Sequence, residues 1–175
     1  MEQTLLAKMT WVEVAERLKA GYNIAIVPVG SMEQHGPMLP LDTDTHNVYQ
    51  LILKAAQKVA DEVKPVVVPP LWCSYSWHFM DFPGTITLKE QTLTNVIVEV
   101  CESMIHHGFK KIVIVSGHGG MGGALHTSRY ILKQKTDAFV VVADFGTFVP
   151  AELRGKIFKP PVHHAGESET AVSLA

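Results

Sequence analysis

The sequence of 175 residues lacks three features that would assign a protein to a common functional class. Its longest apolar runs, such as residues 24–29, fall far short of the ~20 residues that a membrane-spanning helix needs. Fifteen Lys and Arg residues face 17 Asp and Glu residues, so we expect no binding to nucleic acid or to an anionic membrane. The N-terminal residues show no basic segment followed by an apolar one, which predicts a cytoplasmic protein without a secretory signal.

Cysteine is scarce, whereas histidine is frequent. The two cysteines, Cys73 and Cys101, are not spaced as a metal-binding pair, and in the cytoplasm we expect them to be reduced thiols. The nine histidines matter more, because imidazole is the commonest metal ligand and titrates near neutral pH. The positions of the histidines are therefore the first guide to function.

Short runs of Val and Ile alternate with helical periodicity along the chain. The pattern predicts strands at residues 23–29, 66–68, 111–116 and 138–143, and helices at residues 10–20, 44–63, 87–108 and 124–135. Capping boxes are expected at Thr10–Glu13 and Thr87–Glu90. Uninterrupted apolar strands between helices indicate an α/β fold with a mostly parallel sheet that is covered on both faces.

The same pattern predicts one domain over residues 1–175, since no repeat, low-complexity tract or linker divides it. The segment from Ser168 to Ala175 has the pattern of only the first two turns of a helix. This suggests either a short domain or an incomplete chain.

Side chains that bind divalent metals occur in three predicted loops. The loop after the first strand carries Glu33, His35 and Asp44, and the loop after the third strand carries His118. The final turn carries His164, Glu167 and Glu169. The carboxyl ends of parallel strands share one edge of a sheet, so the first two loops are expected to meet. Each residue alone would also suit a surface loop or a helix cap. Together they form a ligand set for Zn, Mn or Fe(II) and predict a metal site.

A rival interpretation rests on residues 117–122. They satisfy the pattern GxGxxG, follow a strand, open a helix and are followed by Asp144 at the end of the next strand, as in NAD(P)-linked oxidoreductases. This interpretation leaves Glu33, His35 and Asp44 unexplained. It also puts His118 where a pyrophosphate needs the closest approach to the backbone, so we favour the metal site.

Five motifs resemble the creatininase (creatinine amidohydrolase) family, and the resemblance runs from Trp11 to the C-terminus. The motifs are Pro28–Ser31 with Glu33–Gly36, Leu39–Leu41 with Asp44, Phe82–Thr85, Gly117–Gly120, and His164–Glu167 with Glu169 and Thr170. The resemblance implies a three-layer α/β/α fold and a hydrolase site with two divalent metal ions. It further implies that Glu33, Asp44 and His118 hold one ion, and that His35 and a bridging Asp44 hold the second.

The sequence departs from the creatininases at Gly120, where those enzymes have a Glu ligand. Many family members with Gly at this position carry an additional Glu in the final motif, so the resemblance suggests Glu167 as the substitute ligand. Glu169 and Gln34 are then expected to orient the ligands. The missing Glu also argues against creatinine itself as the substrate.

The resemblance implies a reaction in which a hydroxide that bridges two Zn, Mn or Fe ions attacks a small polar carbonyl compound. The expected target is a C–N bond of a cyclic amide or formamide, with the ring of a keto-inositol as the alternative. His164 is the expected catalytic residue that moves a proton, and Trp77, His78 and Gly119 are expected to contact the substrate. The family further suggests a homo-oligomer, typically a hexamer, and a domain that continues beyond the last motif of this chain.

Overall fold

A computed structural model of the protein describes residues 4–144, 149–150, 152–153, 156 and 164–175. Its strands are β1 (Ile24–Val29), β2 (Pro65–Val67), β3 (Lys111–Ser116) and β4 (Phe139–Asp144). They form one all-parallel sheet in the order β2-β1-β3-β4. The helices are α1 (Trp11–Lys19), α2 (Thr43–Lys58), α3 (Ala60–Val63), α4 (Glu90–His106), α5 (Gly122–Lys135) and α6 (Glu167–Ser173). Among these helices, none is long and apolar enough to cross a membrane.

Apolar residues pack on both faces of the sheet. On one face, Ala25 and Val27 of β1 belong to a core with Leu93 and Ile97 of α4, and Leu125 of α5 lies in the same core. The opposite face is covered by α2, which buries a second set of residues: Val48, Ile52, Leu53 and Ala56 against Val67 and Val115. The prediction of an α/β fold with a parallel sheet between two helical layers is thus confirmed. Both cysteines are free thiols, as expected.

The first predicted capping box is present. The Thr10 hydroxyl accepts a hydrogen bond from the Glu13 N–H at 3.3 Å, and a Glu13 carboxylate oxygen accepts one from the Thr10 N–H at 2.6 Å. The two bonds satisfy N–H groups that have no partner inside the helix, which explains why α1 begins at Trp11.

The second predicted capping box is wrong. The N-cap of α4 is Lys89, and the Thr87 hydroxyl instead accepts a hydrogen bond from the Ser76 N–H at 2.9 Å. The Thr87 hydroxyl therefore binds Ser76, eleven positions earlier in the chain, and does not cap α4. As a result, Thr87 ties the loop between β2 and α4 to the start of α4.

Two glycines allow the N-terminus of α2 to lie against the ends of β1 and β3. A Cβ atom at Gly30 would overlap the backbone of Thr45, and one at Gly117 would lie 2.7 Å from the Asp44 carbonyl oxygen and from Val48. Contacts this short mean that a side chain at either position would force α2 and the strand ends to shift. The close approach places Asp44 at the carboxyl edge of the sheet.

Candidate metal centre

Asp44 lies between two histidines in the first turn of α2 and is 2% exposed. Its Oδ1 is 3.1 Å from His35 Nε2, and its Oδ2 is 3.1 Å from His118 Nδ1. The Ser31 hydroxyl donates a hydrogen bond to Oδ2 at 2.8 Å. One carboxylate thus reaches both histidines, which is the geometry that a bridging metal ligand needs.

Backbone carbonyl groups fix the orientation of both imidazoles. His35 Nδ1 is 3.1 Å from the Glu33 carbonyl oxygen, and His118 Nε2 is 3.0 Å from the carbonyl oxygen of Tyr75. A carbonyl oxygen only accepts hydrogen bonds, so these two nitrogens carry protons, and His35 Nε2 and His118 Nδ1 face Asp44. Histidines that bind metals usually donate their other N–H in this way.

Glu33 is fully buried, and neither of its carboxylate oxygens has a well-aligned hydrogen-bond partner among the described residues. The nearest imidazole nitrogens are His118 Nδ1 at 3.2 Å and His164 Nδ1 at 3.7 Å from Oε1. A buried carboxylate without partners is costly unless a positive charge compensates it. The donor set and the unsatisfied oxygens fit a divalent cation between Glu33, Asp44 and His118.

The electrostatics of the site favour positive charge at both histidines. Burial alone would lower the pKa of His118, but its close contacts with the Asp44 and Glu33 carboxylates and their negative charges outweigh it and raise the pKa to about 10. Burial likewise opposes charge on His35, yet the hydrogen bond to Asp44 and its charge raise that pKa. Burial would raise the pKa of Asp44, but hydrogen bonds from the two histidines hold it well below its usual value. The site therefore stabilises cations where an ion would bind.

The final motif brings Glu169, and not Glu167, to this group. Glu169 Oε2 is 3.9 Å from His35 Nε2 and accepts a hydrogen bond from the Ala165 N–H at 2.5 Å. The Asn47 side chain donates to the Glu169 carbonyl oxygen at 3.1 Å and so joins α6 to α2. Burial and the nearby charge of Asp44 raise the pKa of Glu169.

Glu167 belongs to none of the metal-capable groups in the described part of the chain. It begins α6, two positions before Glu169, and such a separation turns a side chain by roughly 200° around a helix. Only one of the two acids can therefore face the histidines. Glu169 lies beside His35, where the sequence analysis expected Glu167.

Potential ligand atoms lie within 4.8 Å of one another in three groups. The groups are Glu33 with His78 and His118, Glu33 with His35 and His164, and His35 with Asp44 and Glu169. Four of the five predicted metal ligands are thus brought together by the loops after β1 and β3 and the start of α2.

His164 closes one side of the site. Its ring stacks on Phe79 with the ring centroids 4.5 Å apart, and its Nε2 is 2.7 Å from the Gln34 carbonyl oxygen. That oxygen requires a donor, so this shorter contact is satisfied when Nε2 carries the proton and Nδ1 faces Glu33. The Gln34 amide nitrogen lies 3.1 Å from the same Nε2, and because both nitrogens are then donors this second contact is no hydrogen bond. Gln34 therefore contacts the predicted catalytic histidine rather than a metal ligand.

A cavity of about 400 Å³ opens beside these side chains. Its lining consists of Glu33, Asp44, His78, Phe79, His118, Gly119, Gly120, His164 and Glu169. His78 and Gly119, two of the three predicted substrate contacts, line the cavity. Trp77 does not, and its side chain is 66% exposed.

Two contributions to the site were not assigned by sequence reasoning. Ser31 donates to Asp44, and Tyr75 orients His118 through its backbone carbonyl. Ser31 could have been singled out as a hydroxyl directly after a buried strand. The Tyr75 contribution leaves no trace in the sequence, because any residue can supply a carbonyl group.

The sequence profile of the Creatininase family, described as creatinine amidohydrolase, matches residues 7–175. This chain belongs to the creatininase family. The 3-dehydro-scyllo-inosose hydrolase of Thermotoga maritima is 30% identical over an alignment of 175 positions that covers 95% of this chain and 54% of that protein. The mycofactocin precursor peptide peptidase of Mycolicibacterium smegmatis is 36% identical over an alignment of 155 positions that covers 86% of this chain and 57% of that protein. This creatininase-family chain spans little more than half the length of both relatives.

Solved creatininase structures show the same fold. A crystal structure of creatinine amidohydrolase matches all of this chain and 73% of its own length, with a TM-score of 0.86 and 26% identity. Other creatininase structures are described as a Zn-Zn type and as a Mn form. Family membership, together with His118 facing Asp44, leaves the dinucleotide interpretation of residues 117–122 without support.

Proposed function

We propose that this creatininase-family chain is a metal-dependent hydrolase whose centre holds two divalent ions. Glu33, Asp44 and His118 would hold one ion, and His35, Asp44 and Glu169 the other. The observation that carries this proposal is the buried Glu33 carboxylate, which lacks a well-aligned partner beside histidine nitrogens that face Asp44. Carboxylate and imidazole ligands suit Zn, Mn or Fe(II), and solved creatininases are described with Zn and with Mn.

His164 and its neighbours would carry out the proton transfer. Ions bound there would supply an activated water at neutral pH and polarise the substrate carbonyl. His164 is placed to accept a proton at Nδ1, since the Gln34 carbonyl fixes the other ring proton at Nε2. Phe79 stacks on the imidazole and covers one of its faces. His164 would then pass the proton to the leaving group as a general acid.

The cavity suits a small polar substrate with a carbonyl group. We propose cleavage of an amide C–N bond in a cyclic amide or a formamide, because a matched solved structure is an amidohydrolase and a matched relative is a peptidase. The Thermotoga maritima relative favours a second candidate, a keto-inositol ring. Gly119 leaves open space beside the ligands, since a Cβ there would contact nothing within 4 Å.

A substrate panel with and without metal tests this proposal. The chain, loaded with Zn²⁺ or Mn²⁺, is assayed on cyclic amides, formamides and keto-inositols before and after chelation. We expect one class to be hydrolysed and the activity to disappear with the metal. Activity that survives complete metal removal would contradict the proposal.

The role of His164 is tested with a matched histidine variant. His164→Ala should lower kcat by about 10²–10⁴-fold without changing the metal content, because it removes a proton acceptor and not a ligand. His126→Ala, at an exposed position of α5, is the control and should retain full activity. A loss of bound metal in His164→Ala would show that His164 is a ligand instead.

A further inference from the structure

The space beside Gly120 is occupied by a histidine from another loop. A Cβ atom at residue 120 would lie 3.0 Å from His78 Cε1 and 3.0 Å from the Tyr75 carbonyl oxygen, and it would overlap His118 Nε2. Gly120 is the position at which this chain departs from the creatininases. The ring of His78 therefore occupies space that a side chain at residue 120 would need.

His78 also lies within reach of an ion. Its ring is parallel to that of His118, with an interplanar angle of 4° and 5.9 Å between centroids. A ring nitrogen of His78, a Glu33 oxygen and a ring nitrogen of His118 all lie within 4.8 Å of one another. This set shares no residue with the set of His35, Asp44 and Glu169. Six side chains thus form two groups of three.

The loop that carries His78 is fixed just before this residue. Ser76 donates to the Thr87 hydroxyl at 2.9 Å, and the Leu88 N–H donates to the Ser74 carbonyl oxygen at 2.8 Å. His78 lies in the short 3-10 turn Trp77–Phe79 that follows. Its side chain is exposed, unlike Glu33 and His118, so it approaches the site from the solvent side.

We propose that His78 is a further ligand of the ion that Glu33, Asp44 and His118 would hold. This inference rests on the proposed metal-dependent function and replaces the expected role of His78 in substrate contact. An imidazole adds a ligand without adding negative charge, so the ion keeps its power to polarise a carbonyl.

Metal titration of the chelator-treated chain tests this inference without an activity assay. Wild type, His78→Ala, Met80→Ala and His126→Ala are titrated with Zn²⁺ by calorimetry, and their Co²⁺ forms are compared by visible absorption. In His78→Ala, we expect the affinity for one of the two ions to fall about 10–100-fold and the Co²⁺ spectrum of that ion to change. Met80 is 44% exposed beside the same turn, and His126 is exposed on α5, so both control variants should match wild type.

The possible outcomes separate this inference from the proposed function. Wild-type affinities and an unchanged Co²⁺ spectrum in His78→Ala would overturn the inference and leave the proposed function standing. An equal loss in Met80→Ala would also overturn it, because the effect would then arise from the loop and not from a ligand. A wild-type chain that binds no ion would contradict the proposed function itself.

Discussion

Asp44 and Glu169 approach the same imidazole, that of His35, from two different helices. The backbone of Glu169 is held by Asn47, which lies on α2 only three positions after Asp44. The sequence shows Glu167 and Glu169 side by side and cannot distinguish them, because the choice depends on the rotation of α6 against α2. In the structure Glu169 is the acid that contacts His35, which supports our proposal that Glu169 is the ligand.

Substitution of the two acids one at a time tests which of them binds metal. Glu169→Gln should weaken the binding of one ion by about 10–100-fold, because a neutral amide is a poor ligand for a divalent cation. Glu167→Gln is the matched control and should bind both ions as wild type does. The measurement is metal content after equilibration with a buffered chelator, and the reverse pattern would restore Glu167 as the ligand.

The raised pKa values of His35 and His118 predict that ion binding depends on pH. The pKa of His118 is raised to about 10 and that of His35 is raised above its usual value, so an ion must displace protons to bind. The apparent affinity should therefore rise with pH from neutral pH up to about pH 10, and binding should release protons. Calorimetry in buffers of different ionisation enthalpy measures this release, and an affinity independent of pH would contradict it.

At the scale of elements, local sequence patterns predicted the strands and most helices, but they did not predict which side chains contact the helix ends. Thr10 and Thr87 begin the same Thr-x-x-Glu pattern, yet only Thr10 caps a helix, because Ser76 engages the Thr87 hydroxyl. The predicted helix over 44–63 is divided at Val59 into α2 and α3. Hydrophobic periodicity continues through Val59, so it could not reveal this break.

The packing of α2 against β3 is tested by two glycine substitutions. Gly117→Ala should lower the free energy of unfolding by about 1–3 kcal/mol, because the new methyl group meets the Asp44 backbone and Val48. The same substitution should weaken metal binding, since it displaces Asp44. Gly122→Ala is the control, as nothing lies within 4 Å of its Cβ position and its helical backbone suits Ala. Denaturant unfolding measures both, and equal stabilities would show that the close approach is unimportant.

At the scale of the whole molecule, the parallel sheet explains how much of the site the sequence could predict. Strands β1 and β3 are neighbours that end at the same edge, so the loops carrying Glu33, His35 and His118 had to meet. Trp77 could not be placed in this way, because its loop follows no regular pattern. The single domain over residues 1–175 and the homo-oligomer both stay predictions.

The number of ions bound per chain tests the proposed binuclear centre most directly. The chain is saturated with Zn²⁺, freed of excess metal by dialysis and measured by elemental analysis against its protein concentration. Because two groups of ligands surround Asp44, we predict two ions per chain in the wild type. A value of one or none would contradict the binuclear centre.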